Sequence, residues 1–298
     1  MRFLLILQRE YLQIVGKKSF LFSTLLVPLL GILMGIVAPL MLGVNASTPS
    51  ELIHAEQPLS PDEATQIVAL FLALSIYIFV LSYGGMIMSG VVEEKASRIV
   101  EVILSACRPI ELMFGKIFGV ASVGLTQFVI WMLLFLLMSL FVDLDSESLV
   151  LLSSFQPQLR TILPCYLLYF LGGYLLYAAI FAACGSAVDQ QQDASQFMKP
   201  IVCFMLFALY TGIFSVEDPD GSLAWWCSMI PFTSPVTMMV RLPFSVSVWE
   251  LFLSLLLLYA TALLFLYLAS RIYRINILHY GQKFSWRKLY RKQNKINQ

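Results

Sequence analysis

At 298 residues, with 59% hydrophobic and only 12% charged side chains, the sequence excludes a water-soluble domain with an ordinary surface, since such domains carry roughly 25% charged residues. The net charge of +1 is the sum of a basic C-terminal stretch and acidic loops, and it points to no nucleic-acid partner. Five cysteines without a CxxC pair, and only two histidines, argue against a disulfide framework, a metal site or a histidine-based catalytic site.

In chain order, Met1–Lys18 reads as an amphipathic helix. At about 100° per residue, Arg2, Arg9, Glu10, Gln13 and Lys17 fall on one stripe. Phe3, Leu4, Leu7, Tyr11, Ile14 and Val15 fall opposite, with Ile6 the exception, so the helix is expected to lie in the membrane interface. Six windows then reach the roughly 20 apolar residues of a spanning helix. They are Ser19–Gly43, Thr65–Val91, Ile117–Val142, Thr161–Ala187, Phe197–Ser215 and Val248–Ser270. The first is too long for the apolar core of a cleaved signal peptide and is expected to be a true span.

Lysine and arginine set the orientation. The N-terminal segment holds Arg2, Arg9, Lys17 and Lys18, and the loop after the second span holds Lys95, Arg98, Arg108 and Lys116. The 44–64 loop has none, the 143–160 loop only Arg160, the 216–247 loop only Arg241, and the tail after Ser270 eight. Positive loops stay in the cytoplasm, so both termini are expected there. The layout is an all-α integral membrane protein: an elbow helix over 1–18, six spans over 19–270 and a basic cytoplasmic tail over 271–298.

Three connecting segments carry information. After the second span, Glu94, Arg98 and Glu101 recur at helical spacing with two favourable pairs. Pro109 then suits the first turn of the next helix, so a short charge-striped cytoplasmic helix is expected over about 93–108. The polar stretch Asp189–Lys199 is brief and offers a second, smaller contact. The segment 221–243 has one charge, Arg241, and is broken by Pro231, Pro235 and Pro243. It is too apolar for a water-facing loop. Irregular backbone at membrane depth requires protein or a water-filled cavity around it, so two half-helices dipping into the outer leaflet are expected. The second starts with Ser234 as cap and Pro235 following, and Trp225 and Trp226 sit at headgroup level.

The middles of all six windows lack Asp, Glu, Lys, Arg and His. A proton-coupled transporter needs a titratable group on its path, so energy for transport must arrive from outside the bilayer. The chain holds no GxxxxGK[ST] phosphate loop, so an ATPase would be a separate chain.

Four stretches resemble a known family: 9–30 (REYLQIVGKKSFLFSTLLVPLL), 93–127 (EEKASRIVEVILSACRPIELMFGKIFGVASVGLTQ), 230–243 (IPFTSPVTMMVRLP) and 271–285 (RIYRINILHYGQKFS). The sequence is similar to the ABC-2-type permeases, particularly those resembling the sodium-efflux permease NatB. The resemblance implies the membrane permease subunit of an ATP-binding-cassette exporter, paired as a dimer and driven by an ATPase that binds ATP and magnesium on a partner chain. It implies an elbow helix, a coupling helix and re-entrant helices before the last span. Carried onto this chain, ATPase coupling falls to Glu93, Glu94, Lys95, Arg98 and Glu101, with Asp189 and Asp193 in the second contact. The re-entrant outer gate falls to Pro231, Ser234, Pro235 and Arg241. One departure stands out: only Val44–Ala64 intervenes between the first two spans, where sodium-efflux members often carry a large extracytoplasmic domain. Sodium, drugs, peptides and lipids all stay open as cargo. The alternatives are an ion-coupled secondary transporter or channel, and a membrane scaffold that transports nothing.

Overall fold

The computed structural model describes residues 2–18, 20, 22, 24–25, 28, 61–97, 100, 107–141, 146–244 and 246–277. Every regular element among them is helical. These are α1 (Arg2–Val15), α2 (Pro61–Ala96), α3 (Pro109–Phe141), α4 (Ser146–Ala187), α5 (Gln191–Phe214), α6 (Ser222–Met229), α7 (Ser234–Arg241) and α8 (Val248–Asn276), with a 3-10 turn at Leu242–Phe244. Five of them, α2, α3, α4, α5 and α8, are long and apolar enough to cross a membrane. They contain the second to sixth expected spans to within a residue at the C-terminal end, whereas the first, Ser19–Gly43, lies almost wholly outside the described residues.

Three boundaries differ from the sequence expectation. The stretch 146–160, read as a loop, is the first part of α4. It holds no glycine and is rich in leucine and glutamine, so helix propensity carries it on despite Pro157. Only Val188–Gln190 separates α4 from α5, because α5 begins at Gln191 with Asp193 in its first turn, where a carboxylate suits the helix dipole. Glu93, Glu94 and Lys95 form the last turn of α2 rather than a separate helix. No breaker follows Val91, and the turn ends where the Ser97 hydroxyl donates to the Glu93 carbonyl. Arg98 and Glu101 lie outside the described residues.

The central mast is α4, which packs against both α8 and α2. Its buried face carries Tyr166, Tyr169, Tyr174 and Tyr177 at helical spacing. Each hydroxyl reaches a different element. Tyr166 pairs with Ser75 of α2 at 2.9 Å, and Tyr169 donates to the Leu251 carbonyl of α8 at 3.3 Å. Tyr174 donates to the Ile117 carbonyl of α3 at 2.7 Å, and Tyr177 to the Phe232 carbonyl between α6 and α7 at 2.8 Å. In an apolar medium such bonds satisfy groups that would otherwise be costly to bury. A further polar contact inside the bundle joins Tyr83 of α2 to Gln127 of α3.

Helix α1 packs along α3 in a groove made by two glycines. A Cβ at Gly115 would lie 2.6 Å from Ile6, and one at Gly119 would lie 2.8 Å from Glu10. The inward face of α1 is therefore Ile6, Leu7, Glu10, Tyr11 and Ile14, and Tyr11 bonds Thr126 at 3.1 Å. The stripe expected from the sequence is rotated: Glu10 is buried, while Leu4, Leu5 and Leu12 are exposed. The glycine groove and a buried cation opposite Glu10 outweigh the simple polar-out rule.

Candidate functional site

Two buried charge clusters stand at opposite ends of the bundle, about 35 Å apart along α8 from Glu250 to Tyr273 at 1.5 Å per residue.

At the α1 end, the last turn of α2 is the junction of four elements. The Lys116 ammonium of α3 donates to Glu10 Oε2 of α1 at 3.1 Å and lies 3.3 Å from Glu94 Oε1 of α2. Arg9 approaches the same Glu94 oxygen at 3.6 Å from the rim, with its side chain 45% exposed. One residue on, Lys95 is only 2% exposed. Its ammonium donates to the Ser186 carbonyl at 2.8 Å and forms an ion pair with Asp189 Oδ1 at 2.8 Å. Gln191 adds a bond to Ser89 at 2.9 Å. Glu94 thus ties α2 to α1 and α3, and Lys95 ties it to the α4–α5 connection.

Glu93 and Asp193 are exposed at this end. Glu94, expected on an outward face, is 7% exposed and occupied within the chain. The helical spacing gave the right turn of α2, but spacing does not show which face meets a neighbouring helix. Glu10 and Lys116 were absent from the site expected from sequence. The signal for them was the Gly115/Gly119 pair, which brings α1 close enough to bury an acid against a base.

At the other end, α6 and α7 form a helical hairpin inserted among α2, α4, α5 and α8, and all eight residues of α7 are buried. The short helices fall where two half-helices were expected. Thr233 takes the cap position, with Ser234 and Pro235 as the first two helical residues. Pro231 lies in the turn between the helices. At the tip, Phe232 packs edge-on against Phe204 of α5 at 5.6 Å and Phe265 of α8 at 5.4 Å. Phe265 lies about 24 Å along α8 from Trp249, so the tip reaches deep into the bundle. Trp226 and Trp249 are exposed at the hairpin end, while Trp225 is only partly so.

Arg241, 2% exposed at the C-terminus of α7, holds the hairpin in place. Its Nε donates to the Pro219 carbonyl at 2.7 Å and Nη1 to the Ser228 hydroxyl at 2.8 Å. Nη2 lies 3.0 Å from Glu250 and 3.7 Å from Asp220. Ser254 of α8 donates to the Ser228 carbonyl at 2.6 Å. The planar fork of the guanidinium suits this convergence of two hydrogen-bond acceptors and two carboxylates. Among the described residues, no group of three or more His, Cys, Asp or Glu is placed to hold a metal ion.

Five long apolar helices, one of them the tyrosine-bonded mast, with the charge clusters at their ends, define a multi-pass membrane protein. The chain belongs to the ABC-2 family transporter proteins, whose model matches residues 43–271. It is similar to the uncharacterized protein YhaP of Bacillus subtilis, at 28% identity over 254 residues, covering 84% of this chain and 59% of that protein. It is also similar to the uncharacterized protein MJ1024 of Methanocaldococcus jannaschii, at 26% identity over 227 residues, or 76% and 53% of the two chains. The chain therefore spans between about half and three fifths of the length of these curated relatives. No solved structure matches it.

Proposed function

We propose that this chain is the membrane permease subunit of an ATP-binding-cassette exporter, pairing with a second permease and driven by an ATPase on a separate chain. The observation that carries the reading is the family match over 43–271, which covers the hairpin-end cluster and, at the α1 end, Glu94, Lys95, Lys116 and Asp189. ATP and magnesium belong to the partner. The α1 end faces the cytoplasm of a cell membrane, with both termini there. Its exposed Glu93 and Asp193 meet the ATPase, and Arg98 and Glu101 extend the same contact. Glu94 and Lys95 act one step further in, passing movement of that surface to α1, α3 and the α4–α5 connection. The α6–α7 hairpin is re-entrant from the outer side, and Pro231, Ser234, Pro235 and Arg241 shape an outer gate.

Two experiments test this. Affinity purification of the full chain from its native membrane should recover a P-loop ATPase whose hydrolysis rate changes when the permease is present. Recovery of the chain without one, under conditions that keep the permease dimer intact, overturns the exporter reading. A reporter fused after Gln298 should read cytoplasm and one within Asp143–Glu147 should read outside. The reverse result would invert the orientation.

A further inference from the structure

Around Lys116, three buried polar atoms have no hydrogen-bond partner among the described residues. They are Glu10 Oε1, Glu94 Oε2 and the Tyr273 hydroxyl, the last on a fully buried side chain. They belong to one place. Glu10 and Glu94 both contact the single Lys116 ammonium, and the Tyr273 hydroxyl is within electrostatic reach of both carboxylates and of Cys107. Buried polar atoms are almost always paired, and an exception calls for something that occupies it.

The charges show what is short. The groups facing the site are Arg9 and Glu10 from α1, Glu94 from α2, Lys116 from α3, Tyr273 from α8, and Cys107 in the turn before α3. Lys95, next to Glu94, is committed to Ser186 and Asp189. Among the described residues, two buried carboxylates thus face one buried cation. Arg9 stands at the rim, longer in distance and open to solvent screening. Two carboxyl groups crowded together in a buried site do not both ionise freely. Water alone fills acceptors but leaves that extra charge in place.

We propose that Glu94 binds one proton in the buried site it shares with Glu10, Lys116 and Tyr273, and that its occupancy sets how firmly α1 docks in the Gly115/Gly119 groove. With the proton bound, one carboxyl becomes a donor as well as an acceptor, and the buried set is neutral. Without it, the two carboxylates repel across α1 and α2 and the elbow loosens. This stands apart from the exporter reading: it needs neither an ATPase nor a cargo.

The sign follows from linkage. A Glu94 carboxyl that keeps a proton in the folded protein, where an unfolded glutamate titrates at about 4.3, adds stability that is largest at low pH. That stability is lost as pH rises through its titration in the folded protein.

The test is thermal unfolding of the full chain in nanodiscs of zwitterionic lipid, between about pH 5.5 and 8.5. Wild type should lose about 2–4 °C in midpoint across the range, the shift that a 1 kcal/mol change gives a chain of this size class. Glu94→Gln replaces the titrating acid, and Glu10→Gln its charged neighbour, by a neutral amide of similar shape that also carries a donor. Each should flatten the profile and, at the alkaline end, match or exceed wild type. Glu93→Gln, on the same turn but exposed, should keep the wild-type slope. A flat wild-type profile overturns the proposal, as does a slope that persists in both cluster variants. So does finding both cluster variants less stable than wild type at every pH, which would mean that two ionised carboxylates are needed.

Discussion

The two ends of the molecule solve the same problem with opposite signs. At the α1 end Glu10 and Glu94 are turned inward, while Arg9, Lys17, Lys18, Arg108, Lys199, Arg271 and Arg274 are exposed. At the hairpin end Arg241 is turned inward, while Glu217, Asp218 and Asp220 are exposed, Asp220 to 91% of its side chain. The α1 end buries two acids together with two lysines, Lys95 and Lys116, and shows mainly cations, whereas the hairpin end buries the single cation Arg241 and shows acids. Orientation in a membrane follows exposed lysine and arginine, and burying Arg241 sharpens that contrast at the hairpin end. The clusters also differ in build. Lys116 is shared between acids from two helices, whereas Arg241 gathers two hydrogen-bond acceptors and two carboxylates onto one guanidinium.

The largest effect is expected where a charge is reversed inside a cluster. Glu94→Lys places a third cation beside Lys116 and Arg9 and should cost about 3–5 kcal/mol, the range for breaking a buried pair. The yield of folded protein in the membrane should fall sharply. Normal yield with normal thermal stability would mean that Glu94 is an outward docking residue, as the sequence spacing alone suggested. Arg241→Leu should cost about 3 kcal/mol by leaving Glu250 and the Pro219 carbonyl without their donor. Arg241→Lys should restore only part of that, because an ammonium cannot reproduce the fork. Full rescue by lysine would make the two clusters electrostatically alike and erase the contrast. Lys95→Met should cost about 1–3 kcal/mol from the unpaired Ser186 carbonyl, softened because the Asp189 side chain is 37% exposed and regains water. Exchange of the amides around Val188–Gln190, read by mass spectrometry, should rise in that variant and stay unchanged in Arg241→Leu. Gly119→Val should cost about 1–3 kcal/mol by overpacking the groove, and should slow disulfide formation between cysteines placed at Ile6 and Gly115. The smallest effect belongs to Glu93→Lys, within about 0.5 kcal/mol as for an exposed site. In the exporter reading that variant still weakens ATPase recovery, which separates a docking residue from a structural one.

Composition and apolar run length determined that this is an all-helical, multi-pass membrane protein, because a bilayer leaves the backbone few ways to satisfy its hydrogen bonds. Spans two to six, and the two short helices around Pro231 and Pro235, were legible for that reason and from proline placement. Residues 93–127 were also enough to suggest the family. What the sequence could not decide was which side of a charged helix faces inward. Glu10 was read as outward and is buried, and the Glu93–Lys95 turn was assigned to a separate helix when it closes α2. Periodicity ranks positions around one helix axis, but the rotation of that axis is set by its neighbours. Here the neighbours are two glycines on α3 that admit α1 closely, and a lysine beside them that gives a buried carboxylate its partner.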